Sequence, residues 1–436
     1  MSTSASADPT PLLQEARSLM ATGRVDEALG LFRSIVEAEP RHVEARNALA
    51  VAALRAGDLV AARGQLDAAL AVAPDDALTL NHLAQLQQAQ GDVPAALQTY
   101  AALLQRQPTL YTVRLAYARL LEATGDAALA AREAFRAIRH AQRAGRWLSA
   151  ESTAPGLREP VTRAMALVDR HRQELCERIF NPLVQRFGPE AMARVAGFVA
   201  LQLGQGRYTP ADARQHPTAM PFPGLSQSPY IDKRRLDGLA ELEAQTPEIL
   251  AELQAVLGQD AGRESVFDDP ALAREFLRSP RGPASWDGYY FYRHGQRNDT
   301  NASRCPRTLA AVDRLALARV PGHGPEVLFS ALGPGTHLQP HHGVTNTRLV
   351  CHLPLIVPRD CALRVAGEEH AWRVGEVVVF DDTYSHEAWN RSDELRVVMI
   401  FDMWHPELSE AERVAVCELQ AALGDFAGHA AHGGAG

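Results

Sequence analysis

The stretch LQPHHGVTNTRLVCHLPLIVP, residues 338–358, has the pattern of a strand, a turn and a second strand. It places His341, His342 and His352 within twelve positions of one another. Histidines so placed can be metal ligands, can bind anions, or can lie at the rim of a sheet with their nitrogens bonded to backbone groups. The sequence on either side of the stretch bears on this choice.

The segments around this stretch repeat their polarity every two residues, as β-strands do. Turns rich in glycine, proline, Asp and Asn separate them. The predicted strands fall within residues 287–295, 326–335, 347–357, 361–380 and 394–404. Short strands of this kind are typical of antiparallel sandwiches and barrels, so we predict a double-stranded β-helix domain (jelly-roll, cupin-like) with flanking helices. The mouth of such a barrel is a natural place for a binding site.

The first third of the chain, residues 9–142, is an internal repeat with a period of 34 residues. Three kinds of residue recur in phase: Gly23, Gly57, Gly91 and Gly125; Ala28, Ala62, Ala96 and Ala130; and Pro40, Pro74 and Pro108. Apolar residues at helical spacing fill each unit. The pattern resembles the tetratricopeptide repeat and predicts an all-α solenoid with a concave surface. That surface is either a groove for a protein or peptide, or a spacer or oligomerisation element.

The remaining segments complete a multidomain protein. Residues 143–214 stay helical without the repeat and are predicted to be a cap and connector. Residues 215–425 form the predicted jelly-roll domain, and residues 426–436 a disordered tail.

Composition argues against several functional classes. The net charge of −8 with interspersed signs argues against nucleic-acid binding. No apolar run reaches the roughly 18 residues of a membrane span, and no secretory signal is visible at the start. The five cysteines form no CxxC pair, which fits free thiols in a reducing compartment. We therefore expect a cytoplasmic protein with no membrane partner.

Three residues of the β region form a pattern that makes chemical sense. His386 follows His341 by 45 residues, and Arg396 follows His386 by ten. Two neutral imidazoles can hold a first-row divalent metal, and an arginine can bind a carboxylate in a bidentate manner. The usual two-histidine, one-carboxylate site carries an acid two residues after the first histidine, whereas this sequence has Gly343 there.

Residues 329–358, 372–390 and 395–408 resemble the aspartyl/asparaginyl β-hydroxylase family of Fe(II)/2-oxoglutarate-dependent dioxygenases. The likeness covers about residues 215–410. In that family a glycine takes the place of the carboxylate ligand, and Gly343 matches it. The resemblance implies that His341 and His386 are the catalytic iron ligands, with 2-oxoglutarate and O2 as cosubstrates.

The same resemblance implies four cosubstrate contacts. Arg396 matches the arginine that binds the distal carboxylate of 2-oxoglutarate, and Ser330 and His352 match further contacts. Arg348 matches an arginine near the cosubstrate and substrate carboxylates. The sequence departs from the family at Val350, where the animal enzymes tend to have a second arginine, so the substrate carboxylate loses one expected contact.

Other polar residues of this region have simpler interpretations. His337 and His342 are interpreted as rim histidines, and Asp381 and Asp382 as turn formers, with Asp382 a candidate for a supporting contact at the metal site. The predicted function is hydroxylation of a protein, peptide or amino-acid side chain, most readily of the Asp or Asn type, with the repeats docking the substrate or a partner. The alternatives are hydroxylation of a lipid or small molecule, and a tetratricopeptide scaffold with a non-catalytic binding module.

Overall fold

The computed structural model describes residues 10–258, 262–267 and 269–427. The protein divides into two compact units, one ending at His171 and the other beginning at Arg172. The first unit is helical. Its paired helices are α1 (Thr10–Ala21), α2 (Val25–Ala38), α3 (Val43–Ala56), α4 (Leu59–Leu70), α5 (Ala77–Ala89), α6 (Val93–Arg106), α7 (Tyr111–Ala123) and α8 (Ala127–Arg143).

The repeating residues of the first unit define its helix pairs. All four recurring glycines have positive φ and lie between the two helices of a pair, where residues with a Cβ are disfavoured. An aspartate follows three of them and caps the next helix; Asp58, for example, accepts from the Ala61 N–H at 2.9 Å. The recurring alanines are completely buried between helices. The predicted tetratricopeptide-type architecture is confirmed.

The second unit contains the β structure. Its helices are α9 (Arg158–Phe187, which begins in the first unit), α10 (Ala193–Gln202), α11 (Leu239–Ala244), α12 (Thr246–Leu257), α13 (Pro270–Phe276), α14 (Asp299–Arg304), α15 (Pro306–Val312) and α16 (Glu410–Ala427). Its strands are β1 (Glu264–Ser265), β2 (Leu277–Arg278), β3 (Trp286–Arg293), β4 (Gln296–Arg297), β5 (Val327–Leu332), β6 (His337–His341), β7 (Arg348–Ile356), β8 (Cys361–Val365), β9 (Glu368–His370), β10 (Val378–Phe380), β11 (His386–Asn390) and β12 (Arg396–Trp404).

These strands form two antiparallel sheets. The larger sheet has the order β1-β3-β5-β12-β7-β10, with β4 paired to β3, and the smaller has the order β2-β6-β11-β8-β9. One hydrophobic core contains residues of both sheets, among them Leu328 and Val350 of the larger and Leu338 and Leu363 of the smaller. The sheets therefore pack face to face, which is consistent with the predicted jelly roll.

The central strands of the larger sheet, β5, β12 and β7, are buried on both faces. On β12, Val398 and Ile400 face the smaller sheet, while Met399 and Phe401 belong to a second core that includes residues of α11, α12 and α15. Burial on both sides explains why β7 and β12 read as nearly continuous apolar runs. The polar side chains inside the sandwich are exceptions to this apolar pattern.

The predicted connector, residues 143–214, is divided between the two units. Cys176, Leu183 and Phe198 pack with Leu419 of α16 in a third core of the second unit. The predicted tail overlaps the last residues of α16, and residues 428–436 lie outside the described part of the protein. Among the described helices, none is both long enough and apolar enough to cross a membrane.

Candidate metal and cosubstrate site

His341 and His386 lie directly opposite each other on neighbouring strands. His341 ends β6 and His386 begins β11, and the two are antiparallel register partners. Their ring centroids are 4.0 Å apart. The structure thus brings together two histidines that are 45 residues apart in the sequence.

Backbone carbonyls fix the orientation of both rings. Nδ1 of His341 lies 2.8 Å from the carbonyl oxygen of Gln339, and Nδ1 of His386 lies 3.0 Å from that of Tyr384. A carbonyl can only accept a hydrogen bond, so each Nδ1 carries the hydrogen and each Nε2 presents a lone pair. Nε2 of His341 is buried and has no hydrogen-bond partner among the described residues. This is the arrangement of a metal-binding imidazole with an oriented outer nitrogen.

Burial keeps the two imidazoles neutral. It lowers the pKa of His341 below its ordinary value. For His386, burial and then the nearby His341 lower the pKa well below the ordinary value. Neutral imidazole is the form that binds a divalent metal. The pair therefore fits a first-row metal ion such as Fe(II) in both geometry and protonation.

Asp382 lies beside the glycine that replaces the usual acidic ligand. An ideal Cβ on Gly343 would be 2.2 Å from the carboxylate of Asp382, and the Gly343 N–H donates to the Asp382 carbonyl oxygen at 2.7 Å. Asp382 is completely buried, and neither carboxylate oxygen has a hydrogen-bond partner among the residues that the structure describes. Burial raises its pKa to about 7, and the charge of Arg348 opposes this rise. Asp382 is thus an integral part of the site rather than only a turn residue.

The described residues contain no group of three or more His, Cys, Asp or Glu side chains able to hold one metal ion. Asp382 accordingly does not form a three-ligand cluster with the two histidines. Asp381, next to it, is occupied by hydrogen bonds from Thr383 and from Gln215, the latter at 2.7 Å. The arrangement that fits a metal here is therefore a pair of imidazoles with a buried carboxylate nearby.

Arg396 is a buried cation without a carboxylate partner among the described residues. Its guanidinium carbon lies 4.7 Å from the centre of the Trp372 ring, and Nη1 reaches the Ser330 carbonyl at 3.5 Å. Nε has no partner in the described part of the protein, and burial lowers the pKa of the group to about 10. A buried guanidinium is costly unless an anion pairs with it. A ligand carboxylate would supply that charge.

Ser330 and His352 lie on the two strands that flank Arg396. Ser330 on β5 pairs in register with Val398, and His352 on β7 pairs with Ile400, both on β12. Ser330 accepts a hydrogen bond from the Trp286 indole at 2.8 Å. Burial and then the charge of Arg396 lower the pKa of His352 to about 3, so its ring is neutral. The predicted residues Ser330, His352 and Arg396 therefore lie on one face of the larger sheet, on three neighbouring strands.

Arg348 is placed differently. Its Nη1 donates to the Asp402 carboxylate at 2.9 Å, and both side chains are largely buried. Arg348 lines a neighbouring cavity, which neither Arg396 nor His352 lines. Arg348 thus shares a strand face with His352, four residues away on β7, and lies close enough to Asp382 for its charge to oppose the rise in the pKa of that carboxyl. Its partner Asp402 gave no signal in the sequence beyond its place in an apolar strand.

The two rim histidines have partners of their own. Nε2 of His337 lies 2.7 Å from the Glu387 carboxylate, and Nδ1 of His342 lies 3.0 Å from the Thr383 carbonyl. The His342 ring also contacts His216, with centroids 5.8 Å apart. Neither ring joins the pair formed by His341 and His386.

Parts of both units match models of known protein families. Residues 243–406 match the family model described as aspartyl/asparaginyl beta-hydroxylase. The matched residues of the second unit are therefore similar to an aspartyl/asparaginyl β-hydroxylase domain. Residues 13–77 and 82–146 match the tetratricopeptide repeat model. The β-hydroxylase domain model includes all six predicted site residues, from Ser330 to Arg396.

Three curated relatives, with different descriptions, are similar to parts of this protein. The mouse protein "Aspartyl/asparaginyl beta-hydroxylase" is 34% identical over 134 residues, which are 30% of this protein and 18% of the mouse protein. The human "Aspartate beta-hydroxylase domain-containing protein 2" is 29% identical over 255 residues, which are 56% of this protein and 66% of the human protein. The "Ornithine lipid ester-linked acyl 2-hydroxylase" of Rhizobium tropici is 34% identical over 193 residues, which are 44% of this protein and 65% of the Rhizobium protein. The matched region thus spans under a fifth of the mouse protein's length.

Proposed function

We propose that this protein is an Fe(II)- and 2-oxoglutarate-dependent hydroxylase. The observation that carries the proposal is the pair formed by His341 and His386, with ring centroids 4.0 Å apart and both Nδ1 atoms held by backbone carbonyls. These two residues would hold the metal through Nε2. The match of residues 243–406 to a hydroxylase family supports the proposal.

The cosubstrate would lie between the metal histidines and Arg396. Arg396 would bind the distal carboxylate of 2-oxoglutarate and so gain the counter-charge that it lacks among the described residues. Ser330 and His352 would orient the rest of the molecule from the two flanking strands. The rings of Trp372 and Phe380 lie against His352, with centroids 5.9 and 5.0 Å away, and would exclude water.

Bound Fe(II) and 2-oxoglutarate would together supply the activation of O2. The overall change converts R–H, O2 and 2-oxoglutarate to R–OH, succinate and CO2. One oxygen atom enters the substrate C–H bond and the other enters succinate. The residues of this protein bind and orient the reactants, and the balance requires no protein group to gain or lose a proton.

We further propose that the repeats dock a protein or peptide substrate, because stacked repeats of this class present a concave surface for such partners. Asp and Asn side chains are the targets suggested by the family description. Hydroxylation of a lipid acyl group is a second candidate, favoured by the Rhizobium tropici relative's description. Hydrogen–deuterium exchange of the full-length protein, with and without a peptide that it hydroxylates, tests the docking role. We expect the peptide to protect backbone amides within residues 10–142.

An anaerobic titration of the full-length protein with Fe(II) and 2-oxoglutarate tests the chemistry. The expected result is the weak visible charge-transfer band of an iron–2-oxoglutarate chelate, and its loss in His386→Ala. His337→Ala is the matched control and keeps the band, because His337 bonds to Glu387 and not to the pair. A folded parent protein without the band would overturn the proposal and favour a binding module without turnover.

A further inference from the structure

A cavity of about 170 Å³ begins two residues before the proposed cosubstrate residues Ser330 on β5 and His352 on β7. On β5, Leu328 of the cavity precedes Ser330 by two residues, and on β7, Val350 precedes His352 by two. Residues two apart on a strand face the same side, roughly 6–7 Å apart. Ile400 of the cavity is the register partner of both Leu328 and His352. The cavity is therefore the space into which a substrate bound next to the cosubstrate would extend.

The wall of the cavity nearest the site is apolar. Leu328, Val350 and Ile400 are buried there beside Trp286 and Tyr290. The cavity reaches the surface, because its lining includes the exposed Ala219 and the partly exposed Met220, whose N–H groups donate to the Val344 carbonyl next to Gly343. A group that enters the cavity from the surface would thus contact these hydrocarbon side chains.

Every basic residue that lines the cavity already faces a carboxylate. The four pairs are Arg293 with Glu264 at 2.8 Å, His294 with Glu326 at 3.0 Å, His323 with Asp425 at 3.5 Å, and Arg348 with Asp402 at 2.9 Å. Two of these acids, Glu326 and Asp402, themselves line the cavity. A substrate carboxylate would have to compete with them for a cation and would be repelled by them.

The cavity volume limits the size of the group. An apolar protein cavity of roughly 150 Å³ accommodates a benzene-sized molecule. The cavity near Val350 is therefore large enough for one branched or aromatic side chain, and too small to enclose a long acyl group. The tetratricopeptide match in the same protein also favours a peptide.

We propose that this cavity binds a single uncharged apolar side chain of a peptide, of about the size of leucine or phenylalanine, and not the carboxylate of an aspartate. The inference rests on the proposed function and narrows its substrate class, with Val350 and Ile400 as specificity-determining residues. The reaction keeps the balance given above: one C–H bond of the bound residue becomes C–OH, while O2 and 2-oxoglutarate yield succinate and CO2.

The test uses the full-length protein loaded with Fe(II) and 2-oxoglutarate. Its probes are N-acetyl amides of leucine, phenylalanine and aspartate, with a dodecanoyl amide as the acyl probe. Binding is measured by perturbation of the charge-transfer band, and turnover by succinate release and by a gain of one oxygen in the product mass. We expect the two apolar amino-acid probes to bind at least about a hundredfold more tightly than the aspartate probe, because an unpaired buried carboxylate costs several kcal/mol. Preference for the aspartate or dodecanoyl probe overturns the inference.

Val350→Arg adds a guanidinium to the apolar wall, and we expect it to reverse the preference towards the aspartate probe. Val350→Ala is the matched control and keeps the apolar preference. Retention of the charge-transfer band in each variant shows that the site is intact, so failure of the inference is distinguishable from failure of the proposed function. If Val350→Arg does not fold, the parent protein's preference among the four probes still decides. An unchanged preference in a folded Val350→Arg counts against the role of Val350.

Discussion

The carboxylate of Asp382 occupies the space that a side chain at position 343 would need. A Cβ built on Gly343 lies 2.2 Å from the Asp382 carboxylate, far below any real Cβ contact. Gly343 also donates its N–H to the backbone carbonyl of Asp382 at 2.7 Å, and this bond holds the two residues against each other. The glycine two positions after His341 is therefore required by packing, whatever binds to the histidines.

Gly343→Ala should destabilise the second unit by about 1–3 kcal/mol, the usual cost of overpacking a buried site. The measurement is chemical denaturation followed by tryptophan fluorescence, which reports mainly on this unit because four of the five tryptophans lie in it. Gly206→Ala is the control. Its Cβ would make only an ordinary contact with Leu201, at 3.7 Å, so its effect should stay within about 0.5 kcal/mol. Equal stability of the two variants would mean that Asp382 moves aside freely.

Asp382 should lower the stability of the metal-free protein as the pH rises from about 4 to about 7, and so oppose the gain that buried histidines such as His352 contribute over the same range. Burial raises the pKa of this group from 3.8 to about 7, so the folded state holds the proton more tightly than the unfolded state. Its contribution is fully present below the unfolded pKa and is lost as the pH rises through the folded one. Asp382→Asn removes this titration, so the denaturation midpoint of the variant should rise more over that range than the midpoint of the parent. If the denaturation midpoints of the two proteins changed equally with pH, the raised pKa assigned to Asp382 would be contradicted.

Most of the fold could be predicted from periodicity. The 34-residue phase of Gly57 and Ala62 identifies the helix pairs, because each glycine takes a left-handed turn and each alanine is buried at a helix contact. The strands β3, β5, β7 and β12 were also predictable. The strand β11 and the packing of residues 172–203 against α16 were not, since β11 is short and a helix does not reveal its partner.

The candidate site was only partly predictable. His341, His386 and Arg396 are recognisable by their spacing and by the resemblance that they carry. Asp382 reads as an ordinary turn residue, because the sequence gives no sign that its carboxylate fills the space beside Gly343. The pairing of Arg348 with Asp402 depends on strand register, which places Asp402 opposite Val350 and is invisible in one sequence.

Arg396→Met should abolish 2-oxoglutarate binding without destabilising the protein that lacks cosubstrate. Among the described residues Arg396 has no carboxylate partner, so an apolar side chain of similar size removes a costly buried charge. The melting temperature should be equal to or above that of the parent. Added 2-oxoglutarate with Fe(II) under anaerobic conditions should raise the melting temperature of the parent and not of the variant. The lost binding free energy should be roughly 2–5 kcal/mol.

Arg348→Met is the matched comparison for that experiment. It removes the partner of the buried Asp402 and leaves that carboxylate uncompensated. Breaking a buried pair in this way costs about 3–5 kcal/mol, so this variant should be markedly less stable than the parent. If Arg396→Met were the less stable of the two, Arg396 would have a structural role and the cosubstrate assignment would lose its support.

In the repeat unit, Arg114→Met should cost about 1.5–3 kcal/mol, because it removes a charge-assisted hydrogen bond to the buried Glu133, which keeps Arg136 as a second cation at 3.0 Å. Arg114 pairs with the buried Glu133 and donates from Nη2 to the Pro108 carbonyl at 2.9 Å. Arg46, two repeats earlier, makes the same kind of bond to Pro40 at 2.6 Å but bonds on its other side to the neutral Gln65 at 2.9 Å. Arg46→Met should therefore cost only about 1 kcal/mol. Denaturation followed by helical circular dichroism measures both, and equal losses would show that the Glu133 pair adds nothing beyond the shared bond to the proline carbonyl.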